Sequence, residues 1–180
     1  MGYSTKVYSI DLDELKSFYG SHDEQKLAAV LQEASDEIES LDGFFSDLID
    51  DCEDDWPMAV DAIAEICAGS CVFKNAAPVY GYCLECICQV LGERIAYLGP
   101  LTAHPYRSAL LEERVPIPIP RDQDFPTIGY LDAADVAGEL NLVRSADRPD
   151  DECLAEDMDE YQEALERAVD GGKSIIAFYY

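Results

Sequence analysis

The amino-acid sequence predicts a single α+β domain over residues 1–180, with a mainly antiparallel sheet that includes the N- and C-terminal strands and packs with several helices. Two observations lead to this prediction. Strand patterns stand at both ends of the sequence, and amphipathic or apolar helix patterns occupy much of the length between them. The proline-rich run near residues 115–126 is the one plausible internal boundary, and it is better explained as a loop within one domain.

The first half of the chain is predicted to contain two strands and four helices. In chain order these are a strand over Gly2–Ile10, a helix over Asp11–Tyr19, a helix from Ser21 to about Ser40, a helix over Met58–Ala68, a helix over Val79–Leu91 and a strand over Arg94–Leu98. The first strand alternates and is rich in Tyr, Val and Thr. Ser21 and Glu24 have the spacing of a capping box, and Asp42-Gly43 indicates a turn. Pro57 suits the first position of a helix that Gly69 ends.

The second half is predicted to contain three helices and two strands. These are a short helix over Pro105–Glu113, a strand over Thr127–Leu131, a helix over Ala133–Leu140, a helix over Asp151–Val169 and a strand over Ser174–Tyr180. Val115–Pro120 alternates with proline, which has no N–H to donate to a sheet, so an extended segment is expected there. Asp132 is predicted to cap the helix that follows it, and Gly171-Gly172 to end the last helix.

The net charge restricts the classes of partner. With 12 Lys plus Arg and 38 Asp plus Glu, the formal charge at pH 7 is 12 − 38 = −26. Because nucleic acids and anionic headgroups are bound through basic side chains, this balance argues against both as partners. Hydrophobic residues make up 48% of the chain, which is enough apolar surface for a folded core. A soluble, folded, acidic protein is expected.

The acidic residues are concentrated in two blocks. Residues 27–73 contain 13 acidic and no basic residues, and residues 122–180 contain 16 acidic and 4 basic residues, a net charge of 4 − 16 = −12. Such runs are either solvated helix faces or a surface that attracts a basic partner. Adaptation of the whole chain to high salt is a third explanation. The residues predicted for an interaction surface are Asp47, Asp50, Asp51, Glu53, Asp54, Asp55, Glu156, Asp157 and Glu160.

The sequence predicts a cytoplasmic location. Residues 1–10 lack the basic region and apolar core of a signal peptide, and no apolar run approaches the roughly 18 residues that a spanning helix requires. The chain has seven cysteines, and an odd number with close spacings is more typical of reduced thiols than of a disulfide framework.

Four cysteines have a spacing that a zinc site would also show. Cys67 and Cys71 form a C-x3-C pair, Cys83 and Cys86 form a C-x2-C pair, and four thiolates would hold a tetrahedral zinc ion. However, residues 79–91 have the pattern of a core helix, in which cysteine behaves as a small hydrophobic residue. Buried structural thiols are therefore expected, with no metal or other cofactor, and a zinc-stabilised module is kept as an alternative.

His104 is the histidine with the stronger case for a functional role. It precedes Tyr106 and Arg107 in a predicted loop in the near-neutral middle of the chain. Neither a nucleophile elbow nor an established cysteine–histidine signature accompanies it. An enzyme with its site at these three residues is kept as an alternative, and it requires a concave pocket there.

Several short motifs resemble the YfbM-like family of small uncharacterised bacterial proteins. The motifs are Met1-Gly2-Tyr3-Ser4, Trp56 before a helix that closes at Ala68-Gly69-Ser70, the segment Ile128–Val136, and Tyr161–Leu165 leading through Gly171-Gly172 into Ser174–Tyr180. The resemblance covers most of the chain and implies a single α+β domain with no established reaction. The helix after Trp56 departs from the family pattern because it has no histidines.

Charge and composition together predict a non-enzymatic acidic module that binds a partner protein with a basic surface. An immunity protein or inhibitor that neutralises a cationic toxin or nuclease is one form of this prediction, because opposite charges speed such an encounter. The identity of the partner and the oligomeric state are left open by the sequence.

Overall fold

The computed structural model describes residues 4–49, 56–105, 108–112, 114–120 and 126–180. Within these residues the chain forms seven α-helices and a four-stranded antiparallel sheet, so the predicted α+β class is confirmed. The chain divides into two compact units, unit 1 with Met1–Leu12, Gly92–Pro116 and Thr127–Tyr180, and unit 2 with Asp13–Leu91 and Ile117–Pro126. A single domain over residues 1–180 stays a prediction.

Eleven elements are labelled here in chain order within each type. The strands are β1 (Thr5–Ile10), β2 (Gly92–Leu98), β3 (Thr127–Leu131) and β4 (Ser174–Tyr179). The helices are α1 (Leu12–Phe18), α2 (Glu24–Glu33), α3 (Ser35–Ile49), α4 (Ala59–Ala68), α5 (Ala77–Leu91), α6 (Ala133–Ser145) and α7 (Glu152–Gly171). None of the helices in the described ranges is long and apolar enough to cross a bilayer.

The sheet lies in unit 1 and has the order β2-β1-β4-β3. Every neighbouring pair is antiparallel and the sheet includes both terminal strands, as predicted, and β1 pairs directly with β4. Tyr8 lies opposite Ile176 in this central pair, and the register against β2 shifts between Val7 and Tyr8. Adjacent Val7 and Tyr8 of β1 are both buried, so both faces of this central strand are covered at that point, because successive side chains of a strand point to opposite faces.

Helices α6 and α7 supply most of the remaining core of unit 1. Leu140, Met158 and Leu165 are buried together with Ile175 of β4. The side chain of Asp151 accepts a hydrogen bond from the Leu154 N–H, which caps the start of α7, and Gly172 ends the helix in the left-handed conformation with a φ of 60°. Each such buried Leu or Met side chain contributes about 1.5–3 kcal/mol to folding.

In unit 2, the apolar helices α4 and α5 pack together. Ile63, Ile66 and Leu84 are fully buried. Gly69 ends α4 with a φ of 69°, and its N–H bonds back to the carbonyls of the last turn. A Cβ atom on Gly69 would lie 2.9 Å from the Cα of Gly20. Both this close contact and the positive φ therefore require glycine at position 69.

The start and length of the second predicted helix are corrected by the structure. The N-cap is Asp23 and not Ser21, because the Asp23 carboxylate accepts hydrogen bonds from the Gln25 and Lys26 N–H groups at 3.0 and 3.1 Å. The helix is also interrupted at Ala34, where α2 ends and α3 begins one residue later.

The turn predicted at Asp42-Gly43 is wrong, since both residues lie inside α3. Phe44 and Phe45 pack their rings 5.9 and 5.7 Å from the ring of Tyr82. Burial of Phe45 and the ring contacts of both phenylalanines with Tyr82 outweigh the roughly 1 kcal/mol that an interior glycine costs a helix. The Asp42 carboxylate instead accepts a hydrogen bond from the Ala59 N–H at 2.6 Å.

Two further local predictions differ from the structure. The helix expected over Pro105–Glu113 is wrong, because the described residues of this range form only a short 3-10 turn at Ala109–Leu111. Asp132 stands at the N-cap of α6, but its side chain makes no capping bond, and the Ser174 hydroxyl accepts the Ala133 N–H at 3.0 Å instead. Residues 115–120, where an extended segment was predicted, contain no helix or strand; the chain bends at Pro116-Ile117, and the Ile119 N–H bonds to the Ile117 carbonyl at 2.9 Å.

Candidate functional site

The first set of predicted interaction residues lies largely outside the part of the chain that the structure describes. Asp47 belongs to α3, but its side chain lies outside the description. Residues 50–55 are also outside it, and they include Asp50, Asp51, Glu53, Asp54 and Asp55. An acidic surface formed by these residues therefore stays a prediction.

The second set lies on α7, and two of its three members are engaged within unit 1. The Asp157 carboxylate accepts a hydrogen bond from the Gly99 N–H, and Glu160 accepts one from the Tyr97 N–H, both at 2.9 Å. On the same helix Arg167 donates to the Ile95 carbonyl at 2.5 Å. Glu156 is exposed. Asp157 and Glu160 thus hold the outer edge of β2, a role that the sequence analysis did not foresee.

His104 is buried, with 7% of its surface exposed. His104 follows the 3-10 turn Leu101–Ala103, and its backbone N–H donates to the Leu101 carbonyl at 3.3 Å. Burial lowers the pKa of the imidazole, and the negative charge of Asp157 opposes part of this shift. Tyr106 and Arg107 lie outside the described residues. An enzyme site at these three residues therefore stays a prediction.

The cysteines behave as the core-helix prediction expects. Cys67, Cys71, Cys83 and Cys86 are all buried, and none of them forms a disulfide bond. The Cys83 thiol lies 3.6 Å from the Ala59 carbonyl, and burial raises its pKa. In the described ranges no three or more His, Cys, Asp or Glu side chains form a group that would hold a metal ion. The four thiols are all described, so their sequence spacing does not produce the four-thiolate zinc site that was kept as an alternative.

A concave feature lies in unit 2, beside α4. After Gly69 the chain turns back along this helix: the Ser70 N–H bonds to the Glu65 carbonyl at 2.9 Å, and the Val72 N–H bonds to the Glu65 carboxylate at 2.8 Å. The carboxylate also accepts a short hydrogen bond from the Tyr80 hydroxyl. The turn borders a cavity of about 670 Å³, the Trp56 groove, lined in part by Trp56, Met58, Asp61, Glu65, Val72 and Phe73.

The accessible lining of the Trp56 groove is mostly apolar. Met58 and Val72 expose 44% and 62% of their surface. The indole nitrogen of Trp56 is buried and has no hydrogen-bond partner among the described residues, so the accessible part of this side chain is carbon. Exposed apolar side chains that occur singly are ordinary, but those that lie together often mark an interaction surface.

The rim of the Trp56 groove is acidic. Asp61 is exposed, Glu65 is half-buried, and residues 27–73 contain no lysine or arginine; the first basic residue that follows is Lys74. Burial raises the pKa of the nearby Cys71 thiol to about 11, with the Glu65 carboxylate adding to the rise and Lys74 opposing it. Burial and then the hydrogen bond to Glu65 raise the pKa of Tyr80. Both shifts favour the protonated thiol and phenol at neutral pH.

The sequence analysis did not identify the Trp56 groove. Its available signals were Met58 and Val72, apolar residues that flank the amphipathic α4 rather than belong to its buried face, and Gly69, which returns the chain along the helix. None of these signals indicates by itself that the residues lie on one concave surface.

The comparisons with known proteins give a family and no function. A family model described as a domain of unknown function, DUF7691, matches residues 1–180. No curated protein and no solved structure matches the chain.

Proposed function

Because this chain belongs to the DUF7691 family, a domain of unknown function, we propose its function from its own charges and contacts. We propose that it is a non-enzymatic interaction module whose acidic surface binds a partner protein with a basic surface. Nucleic acids and membrane surfaces are not partners in this proposal, since both would be repelled by a formal charge of −26.

The observation that carries the proposal is the run of 13 acidic residues without a lysine or arginine over residues 27–73. A surface with both signs of charge interspersed would serve solubility as well. A single-sign stretch creates a field that steers oppositely charged proteins and raises their association rate. The absence of lysine and arginine from residues 27–73 therefore favours binding over general solubility as the reason for this acidic stretch.

The contacts of the second acidic block support placing the interaction on the first. Asp159 forms a two-bond ion pair with Arg148, Glu166 pairs with Arg144, and Asp157 and Glu160 bond to the backbone of β2. Arg148 lowers the pKa of Asp159 through hydrogen bonds. Carboxylates that already have partners within the fold are less available to a second protein.

The proposal also includes the wider family of the chain, its location in the cell and its specific role. The motifs around Trp56 and Ile128–Val136 support membership of a wider YfbM-like group of bacterial proteins. The composition supports a cytoplasmic location and an immunity-like or inhibitor-like role against a basic toxin or nuclease. A solved YfbM-like structure with a different strand order from β2-β1-β4-β3 would argue against the wider grouping.

The test is capture of partners by the tagged full chain from a native lysate, at about 20 mM and about 500 mM NaCl, where charges are weakly and strongly screened. We expect a basic protein that is retained at low salt and released at high salt. Replacing Asp51, Asp54 and Asp55 with Asn is expected to lower its capture about tenfold at low salt, because these charges attract the partner.

The matched control removes the same number of charges from the second block, by replacing Glu152, Glu163 and Asp170 with their amides. These three residues are exposed, and the control is expected to retain capture. The proposal fails if no protein is captured at low salt, or if both triple variants lose capture equally.

A further inference from the structure

The Trp56 groove combines charge with accessible apolar surface. Met58 and Val72 are exposed at 44% and 62%, while Asp61 and Glu65 lie at the same groove. Solvated acidic faces have no need of exposed Met and Val side chains at a concavity. The groove therefore has the two properties of a protein-docking site, an apolar centre and a polar rim.

The shape of the groove is held by hydrogen bonds and does not depend on a ligand. Glu65 accepts hydrogen bonds from the Val72 N–H and from the Tyr80 hydroxyl, and the Phe73 N–H bonds to the Tyr80 hydroxyl oxygen at 3.2 Å. These bonds keep the returning segment in place beside α4. A surface that is formed before binding loses less conformational entropy when a partner docks.

The charge around the groove selects among possible occupants. Among the described residues, the lining includes two that bear carboxylates, Asp61 and Glu65, and no lysine or arginine. An acidic or neutral segment would gain nothing from this rim, whereas an arginine guanidinium would gain from the carboxylates and from the carbon face of Trp56. The volume of about 670 Å³ is sufficient for one large apolar side chain and part of a neighbouring one.

We infer that the Trp56 groove docks a segment of the basic partner in which an aliphatic side chain is flanked by arginine or lysine. The aliphatic side chain packs against Met58 and Val72, and a basic side chain lies against the exposed Asp61 carboxylate, while Glu65, whose carboxylate is engaged by Val72 and Tyr80, adds its negative charge to the rim. This inference rests on the proposed function, because it names the part of the partner that the acidic module binds.

The single tryptophan of the chain lies in the groove and reports on its occupancy. The probe is a synthetic peptide of about 12 residues, a length typical of groove-binding segments, with leucine at the centre, arginine on both sides and no aromatic residue. We expect the Trp56 emission of the full chain to shift to shorter wavelength as the peptide is added. A peptide with alanine in place of leucine is expected to bind about tenfold more weakly, and one with glutamate in place of arginine not at all.

Two exposed valines provide matched variants. Val72 lines the groove, whereas Val60 is also exposed, at 41%, and does not line it. Val72→Ser is expected to weaken peptide binding about fivefold, and Val60→Ser to leave it unchanged. Both positions are exposed, so both variants are expected to fold.

The outcomes separate this inference from the proposed function. Peptide binding that depends on arginine but is the same in both valine variants overturns the groove as the docking site. That result leaves the proposed acidic interaction module unchanged. A basic partner captured from lysate without any peptide-induced change at Trp56 does the same. Equal binding of the arginine and glutamate peptides, or a Trp56 shift on raising the concentration of the chain alone, assigns the groove to an apolar ligand or a second copy and overturns the inference.

Discussion

At the scale of single residues, close backbone contacts decide which positions accept a side chain. Gly129 in β3 lies against the 3-10 turn at Ala109–Leu111, and a Cβ atom on it would be 1.8 Å from the Leu110 carbonyl oxygen. Gly138, in the middle of α6, has no other atom within 4 Å of the corresponding position. The two glycines have the same chemistry and opposite surroundings.

Substituting these glycines with alanine is predicted to have opposite effects on stability. Gly129→Ala is expected to lower the free energy of unfolding by about 2–4 kcal/mol, because the Leu110 backbone must move. Gly138→Ala is expected to raise it by about 0.5–1 kcal/mol, because alanine favours the helix and restricts the unfolded chain. Urea denaturation of both variants measures the difference, and equal effects would contradict the packing of β3 against the turn.

Buried Glu139 is a second case in which surroundings decide the role of a residue. It is 5% exposed, and its carboxylate accepts hydrogen bonds from the Tyr161 hydroxyl at 3.1 Å and the Ala109 N–H at 3.2 Å. In the sequence it is one of 16 acidic residues in the second block, and nothing there distinguishes it from its solvated neighbours. Its partners come from residues 22 and 30 positions away.

At the scale of elements, the pairing of α7 with β2 protects an edge of the sheet. β2 is an outer strand, so the backbone groups on its free side have no neighbouring strand. Arg167, Glu160 and Asp157 bond to Ile95, Tyr97 and Gly99, which are alternate residues of the strand and its continuation. Alternate residues of an edge strand direct their backbone groups to the same side, and covering them prevents pairing with another chain.

Removing the two carboxylates of this edge is predicted to destabilise unit 1 and to expose the strand. Asp157→Ala with Glu160→Ala is expected to lower the free energy of unfolding by about 1–3 kcal/mol in total, because the Tyr97 and Gly99 N–H groups lose charged acceptors. The variant is also expected to associate at high concentration through β2. Glu163→Ala, an exposed change on the same helix, is the control. Urea denaturation and light scattering provide the measurements, and a double variant that matches the control in both would show that the edge does not need these bonds.

At the scale of the whole molecule, the charge of −26 opposes folding through self-repulsion. This repulsion acts over distances that salt shortens from about 30 Å at 0.01 M to about 8 Å at 0.15 M. Stability measured against salt therefore distinguishes ordinary screening from adaptation of the chain to high salt.

The melting temperature is predicted to rise by roughly 3–6 °C between about 0.01 M and 0.15 M NaCl, because screening weakens the repulsion. It is then expected to change little up to about 1 M, where the screening length is already near 3 Å. A chain that folds only near or above 1 M salt would instead support high-salt adaptation as the reason for its acidity. A melting temperature that falls as salt is added would contradict both explanations.

Much of the fold was predictable from local patterns. The strands around Thr5–Ile10 and Ser174–Tyr179 follow from alternation and β-branched or aromatic residues, and Gly69 and Gly172 end helices at the positions expected. The failures occurred where a distant group competed with a local signal. Tyr82 stabilises a helix through Asp42-Gly43, and Ser174 takes the capping bond expected of Asp132.

The candidate site was much less predictable than the fold. The predicted residues Asp157 and Glu160 serve the sheet, and His104 is buried. The Trp56 groove depends on Glu65 reaching Val72 and Tyr80 after a turn, which is a property of folded geometry. Residue type and spacing do not encode it in a recognisable motif.

The sequence by itself determined the net charge, the absence of basic residues over residues 27–73 and the order of the strands and most helices along the chain. These properties are sums over composition or depend on neighbours within a few positions. Only the tertiary structure decided which carboxylates are engaged and where an apolar surface stays open. Hydrogen-bond partners such as Gly99 for Asp157 lie 58 positions apart, and folding alone brings them together.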